Sequence, residues 1–114
     1  EDPPLKLVGR VPLAELADGK MIRLDYPPYD VLVALVDGVP SAIEDACNHA
    51  GASLCEGERD RNTVSCPMHG YVFHLKSGAL LRPKGLCGDQ RAFHSTIEGD
   101  DVVVWDIPTT AVIG

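Results

Sequence analysis

Apolar positions along the chain fall in short runs: "KLVGRV", "KMIRLD", "DVLVALVDG", "SAIEDAC", "TVSC", "YVFHL", "RAFHSTIEGD" and "DVVVWDI". Each run has strand length and is rich in Val and Ile, with Gly, Pro and Asp between runs, as antiparallel strands of a small sandwich or barrel require. No sustained helical period is present, and the best helical candidates, "PLAELAD" and "AGASLCEG", amount to a turn or two each. "DG" at 37 and "EGDD" at 98–101 read as hairpin turns. Without a repeat, linker or low-complexity tract, the pattern predicts one all-β domain over residues 1–114, with about eight or nine strands.

Length and charge narrow the function classes. A chain of 114 residues can bury one core without needing metal or disulfides merely to fold. No apolar run approaches the roughly 18 residues of a membrane helix. Ten basic against seventeen acidic residues give a net charge of -7, which opposes binding to nucleic acid or anionic lipid and suits docking on a basic protein surface. The sequence opens on "EDPPLKLV" without a methionine, as a processed or trimmed chain does, so the start says little about location.

The four cysteines carry the chemistry. Two stand beside histidines, as Cys47-x-His49 and, after sixteen intervening residues, Cys66-x-x-His69. Each pair sits where a strand pattern breaks into a Gly-containing loop, so two loops at one end of the sheet can present four ligands. The irregular stretch "LLRPKGLCGDQ" can cover the same end. Zinc accepts two sulfurs and two nitrogens, and a [2Fe–2S] cluster takes two Cys on one iron and two His on the other. Zinc modules usually group like ligands, whereas a loop with one Cys and one His can clamp both ends of a two-iron cluster. Cys55 and Cys87 are left over, either paired with each other or two buried thiols in a reducing compartment, with a cytoplasmic location expected on the second reading.

At these residues the sequence resembles the Rieske family, whose pattern is a CxH box, a gap of about sixteen residues and a CxxH box usually written "CPxHGxxF". Here the boxes read "CNHAGASL" and "CPMHGYVF", and "HLKSGAL" continues as the family does. The match is strong from Ile43 to Leu80 and weaker in the flanks. It implies an all-β domain with a cluster-binding subdomain of two ligand loops and one [2Fe–2S] cluster per chain. Cys47 and Cys66 would hold the inner iron, and His49 and His69 the iron nearest the surface, with electrons passing through the imidazole edges. Gly51 and Gly70 would let backbone N–H groups approach the bridging sulfides, and Pro67 would preset the backbone after the ligand. The chain departs from the family at Met68, whose thioether would still shield the cluster, and in a third loop, "PKGLCGDQRAF", slightly longer than expected. His74 and His94 fall inside strand-like runs as surface or hydrogen-bonded structural residues, and Trp105 as a packing residue at a strand end.

Rieske domains occur in oxygenase subunits, in quinol-oxidising membrane complexes and as free ferredoxins. The 114 residues hold no HxxxH-type pattern with a carboxylate for a mononuclear iron. The cysteines of the quinol-oxidising disulfide would occupy positions that here hold Ala52 and Met68. The resemblance therefore implies a monomeric, soluble ferredoxin that catalyses no substrate turnover. It would pass single electrons from a flavoprotein reductase to a terminal oxygenase. Alternatives are the small subunit of a nitrite reductase system and, from another class, a zinc-stabilised binding module.

The second box also predicts a redox poise. High-potential relatives carry a serine directly after the box glycine and a tyrosine two residues later, whose hydroxyls donate to a bridging sulfide and a cysteine sulfur and so stabilise the reduced cluster. Those positions hold Tyr71 and Phe73 here, which places the potential in the lower part of a span from about -150 to about +300 mV. Phe73→Tyr should raise it. One neutral hydrogen bond of about 0.5 to 1.5 kcal/mol corresponds to roughly 20 to 65 mV for one electron. Redox titration of a folded Phe73→Tyr variant checks this, and an unchanged or lower value refutes it.

Overall fold

The computed structural model describes residues 6–27, 30–47, 52–68, 70–82 and 89–106. Ten strands lie among them. They are β1 Lys6–Pro12, β2 Ile22–Leu24, β3 Val31–Val36, β4 Val39–Glu44, β5 Glu58–Asp60, β6 Thr63–Ser65, β7 Val72–His74, β8 Leu80–Arg82, β9 His94–Glu98 and β10 Asp101–Asp106. All pair antiparallel, in three sheets ordered β1-β10-β9, β2-β3-β4 and β5-β6-β7-β8.

The run "VLVALV" forms β3, and its lack of alternation has a structural cause. A strand covered on both faces needs apolar side chains at every position rather than at every second one. Leu32, Ala34 and Val36 enter one buried cluster together with Ile43 of β4, Val64 of β6, Phe73 of β7 and Leu80 of β8. The alternate residues Val31 and Val33 enter a second cluster with Ala42 of β4, Val102 and Val104 of β10, Val11 of β1 and Leu16. The central sheet is thus a wall between two cores, one shared with the β1-β10-β9 sheet and one with the four-stranded sheet.

The turns follow from local chemistry. β3 and β4 are joined through Asp37 and Gly38 at φ 52 and 79, with Val36 opposite Val39. Left-handed values at both central residues match the strand twist of a tight hairpin, and Asp and Gly tolerate them best. β9 and β10 are joined through Gly99 and Asp100, with Glu98 opposite Asp101. The expected helical turns exist as 3-10 turns at Leu13–Gly19 and Leu54–Glu56.

The eight or nine expected strands fall short of the ten observed. The two unforeseen strands are β5, which reads "ERD", and β8, which reads "LLR" at the start of the stretch taken as irregular. Each is a three-residue edge strand, where pairing with one neighbour suffices and apolar alternation is not needed. In β5 the middle residue does the fixing: Arg59 donates to the carbonyls of Leu35, Lys20 and Arg61. It thereby staples the four-stranded sheet to the central one, and burial lowers the pKa of its guanidinium.

His74 and His94 behave as expected. His74 Nδ1 accepts from the Lys76 N–H at 3.1 Å, and His94 is exposed at the start of β9. Trp105 is half-buried opposite Leu7 and His94 near the end of β10.

At that strand end the Tyr26 hydroxyl donates to Asp106 Oδ2 at 2.5 Å, Arg91 pairs with the same carboxylate, and the Tyr26 ring meets Phe93 edge-on with centroids 6.0 Å apart. The bond to Asp106, then burial, raises the Tyr26 pKa above the ordinary tyrosine value. The neutral phenol is therefore favoured in the folded state. Its stabilisation is complete below the ordinary value of about 10 and is lost as pH rises through the raised one. Tyr26→Phe should be less stable than wild type at neutral pH, with the gap narrowing at strongly alkaline pH. Urea midpoints at the two pH values test this, and a constant gap contradicts it.

Candidate metal centre

Two strands leave their sheets at a cysteine. β4 ends at Glu44, and three residues later the Cys47 N–H donates to the Ala52 carbonyl at 2.8 Å. β6 ends at Ser65, and the Cys66 N–H donates to the Tyr71 carbonyl at 2.8 Å. Each loop is therefore closed by the same bond, from the cysteine amide to the carbonyl five residues on. The first is braced further by a bridge between Ala46 and Ser53 and by the Leu54 N–H donating to the Asp45 carbonyl at 2.8 Å.

Both thiols point inward. Cys47 and Cys66 are each 2% exposed and belong to the same buried cluster as Leu32, Leu54 and Phe73. No disulfide involves Cys47, Cys55 or Cys66. His49 and His69 lie outside the described residues, as do Gly51, Cys87 and residues 83–88 of the third loop. Among the described residues no three His, Cys, Asp or Glu side chains gather as a metal site, and Cys47 and Cys66 are the candidate ligands that lie among those residues.

Two glycines set how closely the loops are held. Gly70 has φ +71, which disfavours any other residue, and its N–H donates to the Cys66 carbonyl at 2.9 Å. That N–H is thus committed to closing the loop rather than directed at a sulfide. At Gly57, just after the 3-10 turn, a Cβ would stand 1.8 Å from the Ser65 carbonyl oxygen. Only glycine lets the chain leaving the first loop lie against the strand entering the second. A cavity of about 440 Å³ opens beside this contact, lined by Gly57, Ser65, Cys66, Pro67 and two carboxylates, Glu56 and Glu58. Met68, within the second loop, is 62% exposed.

Asp45 is the functional residue that sequence reasoning missed. It is 2% exposed, two positions before Cys47. Its Oδ2 accepts from the Ser53 hydroxyl at 2.6 Å and its Oδ1 from the Cys55 N–H at 2.9 Å. The carboxylate thereby fastens the outgoing stem of the first loop to the incoming one. An acid in the run "SAIEDAC", two residues before a candidate ligand, was the available signal. Cys55 is half-buried beside it. Burial first, then the charge and hydrogen bond of Asp45, push the Cys55 thiol far above the usual range.

The donors suit an iron–sulfur group. Sulfur is the ligand that such clusters take, and these two sulfurs are presented from rigidly closed loops within one dry cluster. Comparison with known proteins agrees. Residues 8–86 match the family model of the Rieske [2Fe-2S] domain. The chain is 37% identical over 92 residues to the biphenyl 2,3-dioxygenase ferredoxin component of Rhodococcus jostii (strain RHA1), covering 79% of this chain and 83% of that protein. It is 35% identical over 102 residues to the 3-phenylpropionate/cinnamic acid dioxygenase ferredoxin subunit of Escherichia coli (strain K12), covering 85% and 90%. Among solved structures, the ferredoxin of carbazole 1,9a-dioxygenase from Nocardioides aromaticivorans IC177 superposes with a TM-score of 0.77 at 25% identity, covering 87% of this chain and 96% of that one. The Sphingomonas yanoikuyae B1 ferredoxin superposes with a TM-score of 0.73 at 25% identity, covering 95% and 100%.

The chain belongs to the Rieske [2Fe–2S] family, whose domain carries one such cluster. Within that family it is similar to the ferredoxin components of dioxygenases, and the zinc-stabilised binding module is set aside.

Thiolate is the reactive form of cysteine, and Cys55 is held as the thiol. In native protein at mildly alkaline pH, Cys55 should resist iodoacetamide and become modified only on unfolding. Cys55→Ser should leave the visible spectrum unchanged. Bleaching in that variant, or rapid native alkylation shown by peptide mass, would contradict the assignment.

Proposed function

We propose that this chain is a monomeric, single-domain, cytoplasmic one-electron carrier, with Cys47 and Cys66 as ligands of one iron and His49 and His69 as ligands of the other. It takes electrons from a flavoprotein reductase, passes them to a terminal oxygenase, and turns over no substrate itself. The observation that carries this reading is the pair of buried thiols in one core, each on a loop closed by the same amide-to-carbonyl bond. A [2Fe–2S] cluster held there supplies reversible one-electron chemistry.

The chain's own residues supply the rest. The two closures and the Asp45 bonds hold the thiols in place whichever charge the centre carries, so little protein rearrangement accompanies electron transfer. The surrounding Leu, Val and Phe side chains exclude water from the sulfurs and lower the local dielectric, which favours the less charged state and tunes the potential. Seventeen acidic against ten basic residues suit a basic docking face on the redox partners. The relatives named as dioxygenase ferredoxin components support an oxygenase as the acceptor.

Metal and sulfide analysis tests the reading. Purified without oxygen, the protein should contain two irons and two acid-labile sulfides per chain. Cys47→Ser and Cys66→Ser should each abolish the visible spectrum and loosen the loops, because cluster binding energy is also folding energy for such segments. One zinc per chain without sulfide, or a coloured Cys66→Ser variant, would overturn it.

A further inference from the structure

We propose that Gln90 is a positioning residue that sets the separation of the two cysteine loops. The proposal rests on the reading of Cys47 and Cys66 as cluster ligands. Gln90 is 2% exposed and stands where β4 runs out of strand partners. Up to Glu44 the outer edge of β4 is paired by the segment before β9. The Phe93 N–H donates to the Ala42 carbonyl and the Glu44 N–H to the Arg91 carbonyl, both at 2.8 Å, with Ile43 opposite Ala92. Beyond that point a side chain replaces the strand. The Gln90 amide donates through Nε2 to the Glu44 carbonyl at 3.0 Å and to the Ala46 carbonyl at 2.7 Å. Alternate carbonyls of an extended chain face the same way, so one amide with two hydrogens can hold both. Ala46 is the residue directly before Cys47.

The backbone of the same residue grips the other loop's sheet. The Gln90 N–H donates to the Gly78 carbonyl at 2.7 Å, and the Gly78 N–H donates to the carbonyl of His74, the last residue of β7. β7 begins directly after Tyr71, whose carbonyl closes the second loop. The approach is tight enough to demand glycine: a Cβ at Gly78 would stand 2.0 Å from the Gln90 carbonyl oxygen, at φ +77. One buried residue thus holds the stem of the first loop with its side chain and the return strand of the second with its backbone. Removing the amide donors leaves two half-buried carbonyls short of partners, and such groups shift to find others. The stem they belong to carries Cys47.

The test compares Gln90→Met, of similar length without a donor, and Gly78→Ala, which displaces the Gln90 backbone while keeping its side chain. Ser41→Ala is the control, since Ser41 is buried and bonds the Ala34 carbonyl in the central sheet. For each cluster-loaded protein the electron paramagnetic resonance g-values of the reduced state, the midpoint potential, the rate of iron loss to a chelator and the thermal midpoint are measured. Gln90→Met and Gly78→Ala should shift the g-values and the potential and speed iron loss about tenfold, whereas Ser41→Ala should lower only the thermal midpoint. A Gln90→Met variant too unstable to load leaves Gly78→Ala to decide. Wild-type g-values, potential and iron loss in either variant that does load would reduce Gln90 to an ordinary core hydrogen bond and overturn the proposal. A wild-type chain that binds no iron at all would instead overturn the ligand reading, and this proposal with it.

Discussion

Burial of β3 on both faces is the constraint on which the rest of the molecule depends. With Leu32, Ala34 and Val36 committed to one core and Val31 and Val33 to the other, the strand cannot sit at an edge or face solvent. A one-residue register slip would exchange the two sets and mismatch both cores at once. The register with β4 is thereby fixed, and with it the point at which β4 ends and the chain turns into the first cysteine loop. The position of Cys47 is thus inherited from strand packing several residues upstream.

The second cysteine is placed by a different mechanism. The four-stranded sheet is built from three-residue strands, too short to hold themselves in place by pairing alone. Its attachment comes from Val64, Phe73 and Leu80 in the shared core, from the Arg59 guanidinium on the Leu35 carbonyl of the neighbouring sheet and the Lys20 carbonyl just before β2, and from the contact that Gly57 permits with Ser65. Apolar burial supplies most of the attraction but little direction, whereas the guanidinium and the glycine contact are directional. Together they set the second loop beside the first.

The sequence was most legible where chemistry and spacing coincide. Cysteines at 47 and 66 could be read as a buried pair because their neighbours fix a family pattern, and the hairpins at 37 and 98 because Asp-Gly and Gly-Asp demand particular backbone angles. The strands β5 and β8 were illegible for a physical reason: an edge strand of three residues is specified by its partner, and "ERD" carries no apolar signal of its own. Asp45 and Gln90 escaped because polar residues are mostly exposed; only the fold shows that both are buried with their hydrogen bonds satisfied.

That pattern of failure bears on how such a centre is tuned. A soft ligand set constrains which group binds, and motif spacing is enough to reveal it. The geometry that group experiences is set by buried polar side chains on the stems, whose hydrogen bonds are directional and strong in a dry core. Substitution at those stem positions can alter the centre while every ligand stays in place. Two chains with identical ligand boxes can therefore differ in redox behaviour, and the difference lies in residues such as Asp45 and Gln90, outside the boxes that identify the family.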